Sequence, residues 1–430
     1  MVSKGIRYHE SDAMTHPTST MRILLSNTSY LIGAEVVAKA SRLISIMAMA
    51  ACLSATEYGT AMLALTVHEV LRLLLRSGAG AQVIRASDDE LPAFLKNGRI
   101  LQWLLCGAIC VVQVLVALAS SWMFPGQDMT VLIALMALTY LVFPLVCNQV
   151  FLMQRRNQMG LFGLISSVCI ITENLALAAA LYLDAGLLAV VIGKWAFTLL
   201  WLGCFAFVPS SSMAGHYSKA VFSRLLGAST QLAGSEILRS LRVNMDMFVA
   251  ARLLTPELFG LYSFAKSVGV GLAISVAQAY TTALYPFVCK LKNAGNFGPR
   301  HSHLLLAITA AVSAIFILQA VLVPWYVPVL FNEHWQGSFT TSALLCLIAT
   351  STVWTDSYAV MQRAAGRFAR ECQLNAYCLV ISLVGLLMIQ PDQPDLLAAV
   401  LVSCSALWLL FPLADFALRR CHAGAAKSSL

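Results

Sequence analysis

Charge is what this chain has least of. Asp, Glu, Lys and Arg make up 11% of its 430 residues, while 59% are hydrophobic. A water-soluble chain of this length carries roughly 25% charged residues, because its surface faces water. Most of this surface must therefore face something else. Metal-ligand spacing is also missing: the twelve cysteines lie mostly in apolar runs, and none forms a CxxC or a Cys/His cluster. Cys106 and Cys110, at i and i+4, fit helix packing, so neither a disulfide framework nor a metal site is expected. The first 21 residues hold no apolar core ahead of a small-residue cleavage site, which predicts a short cytosolic tail rather than a cleaved leader. GxSxG, P-loop and HExxH motifs are absent, as is any large polar loop that could house a catalytic domain. An enzyme, an ATP-driven pump and a bound cofactor are therefore not expected. The net charge of +8 is scattered between hydrophobic segments with no basic tract, which argues against nucleic acid as a partner.

What the chain does have is a series of nearly uncharged runs of 18 or more residues, each long enough to cross about 30 Å of hydrocarbon as a helix. They lack the alternation of barrel strands, and lipid tolerates only closed hydrogen-bonding schemes. The fold class is an all-α polytopic membrane protein. Twelve spans are expected, near 23–51, 59–84, 100–123, 129–153, 159–183, 186–208, 225–253, 259–288, 302–324, 338–361, 372–390 and 396–418. Nineteen of the 28 basic residues fall in the tails and in alternate connections, such as Arg155 and Arg156 or Arg363, Arg367 and Arg370; the six opposite loops hold none. The positive-inside rule then puts both termini in the cytoplasm.

The sequence also repeats itself. GAEVVAKASR (33–42) followed by LSATEYG (53–59) returns as GSEILRSLR (234–242) followed by LTPELFG (254–260), with an offset of 201 residues. CNQVFLMQR (147–155) is echoed by TDSYAVMQR (355–363). Two parallel six-helix bundles related by a pseudo-two-fold axis along the membrane normal follow, as in alternating-access transporters. The expected domains are a cytoplasmic tail (1–22), an N-lobe (23–208), a cytoplasmic linker (209–224), a C-lobe (225–418) and a second cytoplasmic tail (419–430).

Charges inside the spans are costly, about 2.5–3.5 kcal/mol each near a helix centre, and so point to a wet interior. Glu35, Lys39 and Arg42 recur at i, i+4, i+7, and Glu69, Arg72 and Arg76 at i, i+3, i+7, each set on a narrow stripe of one helix. Glu236, Arg239, Arg242 and Asp246 share one arc of the seventh span, and Lys266 lies in the eighth. The basic surplus in this set predicts a hydrated cationic cavity between the lobes, suited to phosphate oxygens. Glu35–Lys39 and Arg242–Asp246, at i and i+4, equally fit structural ion pairs. Glu173 and Lys194 fit a structural pair as well. His68, Asp356 and Gln278 are candidates for proton or cation coupling, and Trp122, Trp325 and Trp335 for an interfacial aromatic belt.

SRLISIMAMAACLSATEYG (41–59), LRVNMDMFVAARLLTPELFGLYSFA (241–265), VPVLFNEHWQGS (327–338) and SYAVMQRAAGRFA (357–369) resemble the polysaccharide transporters, or O-antigen-type flippases, of the MATE/oligosaccharidyl-lipid/polysaccharide flippase superfamily. The resemblance covers most of the chain and is most specific at the Arg-x-Asn-x-Asp core and following Gly-x-Tyr of the seventh span. Asn332 departs from the Gly that many relatives carry after the Leu-Phe pair, which touches local turn geometry only.

The resemblance implies a V-shaped pair of bundles that moves a polyprenyl-(pyro)phosphate-linked oligosaccharide across a bacterial inner membrane for surface polysaccharide biosynthesis. Lys39, Arg42, Arg72, Arg76, Arg239, Arg242 and Lys266 would then bind substrate, and Glu35, Glu69, Glu236 and Asp246 would tune the site or carry a coupling ion. Expected partners are the lipid-linked oligosaccharide and membrane lipids, with H+ or Na+ as candidate coupling ions and polysaccharide polymerase and chain-length machinery as candidate neighbours. The alternatives are a MATE-like drug/cation antiporter, which would need a surplus of buried acids, a lipid II-type flippase, and a membrane-embedded glycan polymerase or acyltransferase.

Overall fold

The computed structural model describes residues 37–413 apart from 39, 77–79, 81, 84–85, 125, 157, 209–214, 272–275, 278–279, 282–283, 285–287, 289–298, 332 and 366. Glu35, Lys39 and Gln278 lie outside the described residues, as do both tails and the side chains of Arg76 and Glu236. Every regular element among the described residues is a helix. In chain order the helices are α1 (Ala40–Cys52), α2 (Ala55–Arg72), α3 (Leu91–Met123), α4 (Thr130–Arg155), α5 (Met159–Tyr182), α6 (Leu188–Ala206), α7 (Lys219–Leu253), α8 (Pro256–Val268), α9 (Pro299–Leu330), α10 (Phe339–Ala364), α11 (Phe368–Ile389) and α12 (Pro394–Leu413). Among the described residues nine helices are long and apolar enough to cross a membrane, and they coincide with nine of the expected spans. The other three expected spans correspond to α1, partly outside the described residues; to α7, whose charges set it apart; and to α8, which is interrupted at Gly269, beyond which the described residues from Val270 to Val288 are again helical. α7 begins at Lys219, inside the segment expected to be a linker, because residues 219–226 pack onto α3 instead of running free.

The surface is inverted relative to a water-soluble protein. Trp122, Leu183, Phe207 and Val329 stand more than 80% exposed, whereas Asn97, Gln113, Lys194 and Asp246 are buried. Outward apolar groups match hydrocarbon, and inward polar groups find partners that lipid does not offer. α4 shows how the chain meets that constraint locally. Pro144 has no N–H for the carbonyl of Tyr140, and the helix tightens into a 3₁₀ stretch over Leu138–Val142 before resuming.

The repeated sequences carry repeated structure. Ser54 caps α2 by accepting from the Glu57 N–H, and Thr255, its counterpart at the 201-residue offset, caps α8 by accepting from the Leu258 N–H. Downstream of these caps α2 and α8 pack directly, with Gly59 against its own counterpart Gly260. A Cβ on Gly59 would sit 2.8 Å from Phe259 Cδ1 and 3.1 Å from Gly260 Cα, and one on Gly260 would overlap the Ala55 carbonyl. The echo ending in Met-Gln-Arg also has a counterpart in structure. Arg155, in the last turn of α4, donates to the Val83 and Ala86 carbonyls and pairs with Asp88 at 2.6 Å. Arg363, in the last turn of α10, bonds Glu371 at the start of α11 at 2.8 Å.

Helices from the two expected lobes meet at both ends. At one end Tyr58, Phe264 and Trp335 form a buried aromatic cluster, with Trp335 stacked 4.2 Å from Phe264 and edge-on to Tyr58. Trp335 Nε1 donates to the Ala50 carbonyl at 3.0 Å, tying the turn before α10 to α1. Trp335 is thus a core residue, a correction to its assignment to an interfacial belt. Its flanking residues resemble a loop end, but the helices fold over it. Trp122 and Trp325 remain exposed. At the other end Asn97 of α3 bonds the His216 carbonyl and accepts from the Ser218 N–H, and Leu225 of α7 packs with Phe94 and Leu95.

Trp335→Phe keeps the stack but orphans the Ala50 carbonyl. It is expected to cost about 1–2 kcal/mol, read as a lower midpoint in thermal unfolding of the detergent-solubilised protein; an unchanged midpoint removes the bond from the account.

Candidate functional site

Among the described residues, the paired intramembrane charges gather in two groups. The first joins α2, α5 and α6. Gly193 lets α6 approach α5 so closely that a Cβ there would meet the Glu173 carbonyl at 3.0 Å, and the next residue, Lys194, reaches the Glu173 carboxylate at 2.6 Å. Lys194 also bonds Glu69, which in turn faces Arg72 at 3.4 Å. Arg72 lies over the Phe197 ring, 5.1 Å from its centroid. Two carboxylates and two cations thus form a neutral cluster. Glu173–Lys194 is the structural pair the sequence suggests, with Glu69 added as a third member. Beside it His68 stacks on Tyr140, whose hydroxyl donates to Gln113 Oε1 at 2.7 Å and to the His68 carbonyl at 2.8 Å. His68 is satisfied locally.

The second group runs along one stripe of α7. Arg239, Arg242 and Asp246 recur at i, i+3, i+7 and rise together by about 10 Å along the axis. Arg242 Nη2 pairs with Asp356 of α10 at 2.5 Å. Asp246 takes Lys266 of α8 at 2.6 and 2.8 Å and the Tyr262 hydroxyl at 2.5 Å. Lys266 also donates to the Val243 carbonyl at 3.1 Å. The i, i+4 pairing of Arg242 with Asp246 therefore does not form, because each finds a partner on another helix. Arg242 retains one unfilled donor: its Nε is buried without a hydrogen-bond partner, on a side chain 9% exposed.

The cationic surplus is accordingly narrower than the sequence suggests. Arg72, Arg242 and Lys266 have carboxylate partners. Arg239, half-buried on the α7 stripe, and Arg42, exposed on α1, have none among the described residues. α7 is the element that brings the site together, since it packs against α2 and α3 of the expected N-lobe and α8 and α11 of the expected C-lobe. The sequence offers Asp356 only as a coupling candidate; its role as partner to Arg242 has one signal, an isolated acid in an otherwise uncharged stretch of α10 that is aligned with the Met-Gln-Arg echo.

Comparison with known proteins follows the same lines. The family described as "Polysaccharide biosynthesis protein" matches residues 48–340. The lipopolysaccharide biosynthesis protein WzxC of Escherichia coli (strain K12) is 23% identical over 258 residues, covering 58% of this chain and 52% of that one. The chain thus spans about half the length of that relative. Among solved structures, the lipid II flippase MurJ in an inward closed conformation aligns with a TM-score of 0.66 at 13% identity, over 90% of this chain and 87% of that one. An inward-facing multidrug resistance MATE family transporter of the MOP superfamily aligns with a TM-score of 0.61 at 12% identity, over 89% and 96%. Likeness at such identity establishes the fold, and function has to be argued from the site.

Proposed function

Because the chain belongs to the polysaccharide biosynthesis protein family, we propose that it is a flippase carrying a polyprenyl-(pyro)phosphate-linked oligosaccharide across the bacterial inner membrane by alternating access, with both termini cytoplasmic. The observation that carries this reading is Arg239: a guanidinium within a membrane helix, half-buried, with no carboxylate partner among the described residues. An unneutralised cation in that setting calls for water or an anion, and a phosphate oxygen pair fits a guanidinium in bidentate fashion. Arg242, one turn further along α7, has a donor to spare. Arg42, Arg72 and Lys266, with Lys39 and Arg76, complete the proposed substrate-binding set; Glu69 and Asp246, with Glu35 and Glu236, tune it or carry H+ or Na+. α7 touches helices of both expected lobes, so a ligand held along it would sense their relative movement.

The drug/cation antiporter reading fares worse on the same residues. It requires acids free to receive an organic cation, yet Glu173, Asp246 and Asp356 are each engaged by a Lys or Arg.

Arg239→Ala tests the proposal cleanly, since it leaves no carboxylate unpaired among the described residues. It is expected to lower initial-rate translocation of a polyprenyl-diphosphate sugar in proteoliposomes by about tenfold, the equivalent of one lost charge-assisted contact of about 1.4 kcal/mol. Arg239→Ala with Arg242→Lys, which keeps a cation for Asp356 but removes the planar fork, should lose most surface polysaccharide in cells at an unchanged amount of protein in the membrane. Normal polysaccharide in the double variant overturns the assignment.

A further inference from the structure

We propose that Asp356 and Asp246 are specificity residues: built-in competitors that keep singly charged membrane phospholipids off the cations of α7 and α8 while letting a diphosphate through. This rests on the flippase reading above. The site faces a problem of numbers, because any bilayer offers a vast excess of phosphodiester headgroups with one negative charge each. Bare cations along a membrane helix would be occupied by them continuously.

The second charged group is arranged against that outcome. Arg242 and Lys266 each hold one carboxylate, at 2.5 Å and 2.6 Å. Exchanging a carboxylate for a phosphodiester replaces one charge by one charge and leaves the displaced aspartate without a partner, so the exchange gains nothing. A diphosphate brings at least two charges and more acceptor oxygens, and can engage Arg239 and Arg242 together, about 4.5 Å apart along the helix axis. The unfilled Arg242 Nε adds a donor that the carboxylate does not use but a multidentate anion can. Asp246 is held further by Tyr262, which fixes it as the resident counter-ion of Lys266. The charged groups that bear on this exchange are Arg239, Arg242 and Asp246 of α7, Lys266 of α8 and Asp356 of α10, with Tyr262 as the neighbouring hydroxyl.

The test compares two lipids with identical tails, dioleoyl phosphatidylglycerol and dioleoylglycerol diphosphate, by the concentration of each that half-maximally raises the thermal midpoint of the purified full chain. The wild type should prefer the diphosphate at least tenfold. Asp356→Asn, and separately Asp246→Asn, should cut that preference about tenfold by tightening the phosphodiester. A wild-type preference near one overturns the proposal whatever the variants do; so does an unchanged preference in either variant that elutes as the wild type does on gel filtration. If the diphosphate fails to stabilise the wild type at all, it is the flippase reading that falls. A wild type that binds the diphosphate without discriminating sinks only the present inference.

Discussion

Gly260→Ala is expected to force α8 away from α2 and to unseat the end of the molecule where the two packed repeats meet. In an isolated helix the change would help, by about 1 kcal/mol, because Ala is the better helix former. Here the new methyl meets the backbone carbonyl of Ala55, which no rotamer change can move aside. Overpacking of this kind costs about 1–3 kcal/mol or more, so the steric term outweighs the propensity gain. The expected result is a lower thermal midpoint and loss of polysaccharide export. Gly271→Ala is the matched control, since among the described residues its added methyl would touch only the Lys266 carbonyl at an ordinary 3.7 Å. Equal midpoints for the two variants would show that the contact between α2 and α8 yields freely.

Lys194→Met is expected to be the most destabilising single change among the intramembrane charges. The ammonium is 6% exposed and shared between Glu69 and Glu173. Among the described residues its removal leaves Glu173 with no cation at bonding distance and Glu69 with Arg72 alone. Breaking a buried pair from one side costs about 3–5 kcal/mol, because the remaining charge stays desolvated and uncompensated. Protein yield and thermal midpoint should both fall. The triple variant Lys194→Met, Glu69→Gln, Glu173→Gln should recover most of the loss, because it removes the orphaned charges along with their partner. A single variant as stable as the parent would mean that water already reaches these carboxylates.

The fold was largely legible because lipid leaves a chain few options. Run length and charge deficit locate nine spans that α2–α6 and α9–α12 fulfil, and the echo of LSATEYG in LTPELFG is matched by the paired caps at Ser54 and Thr255. The site was legible in its members and not in its connections. Helical periodicity brings Arg242 and Asp246 to one stripe, but it cannot say which helix lies opposite. Asp356 and Lys266 are 114 and 20 residues from the groups they bond, and only packing brings them there. Trp335 was misplaced for a related reason. A tryptophan beside a polar turn looks the same in sequence whether the turn caps the surface or folds inward over Tyr58 and Phe264.

The meeting of Gly59 with Gly260 has a consequence for how this chain can evolve. Bulk added at Gly59 presses hardest on the Phe259 ring and less tightly on the Gly260 main chain, so a smaller residue at 259 can relieve the tighter of the two contacts by a second-site change. Bulk added at Gly260 presses on main chain, where no side chain is left to shorten. The two members of the duplicated pair therefore differ in reversibility: damage on one side can be eased by a neighbour, while damage on the other can only revert.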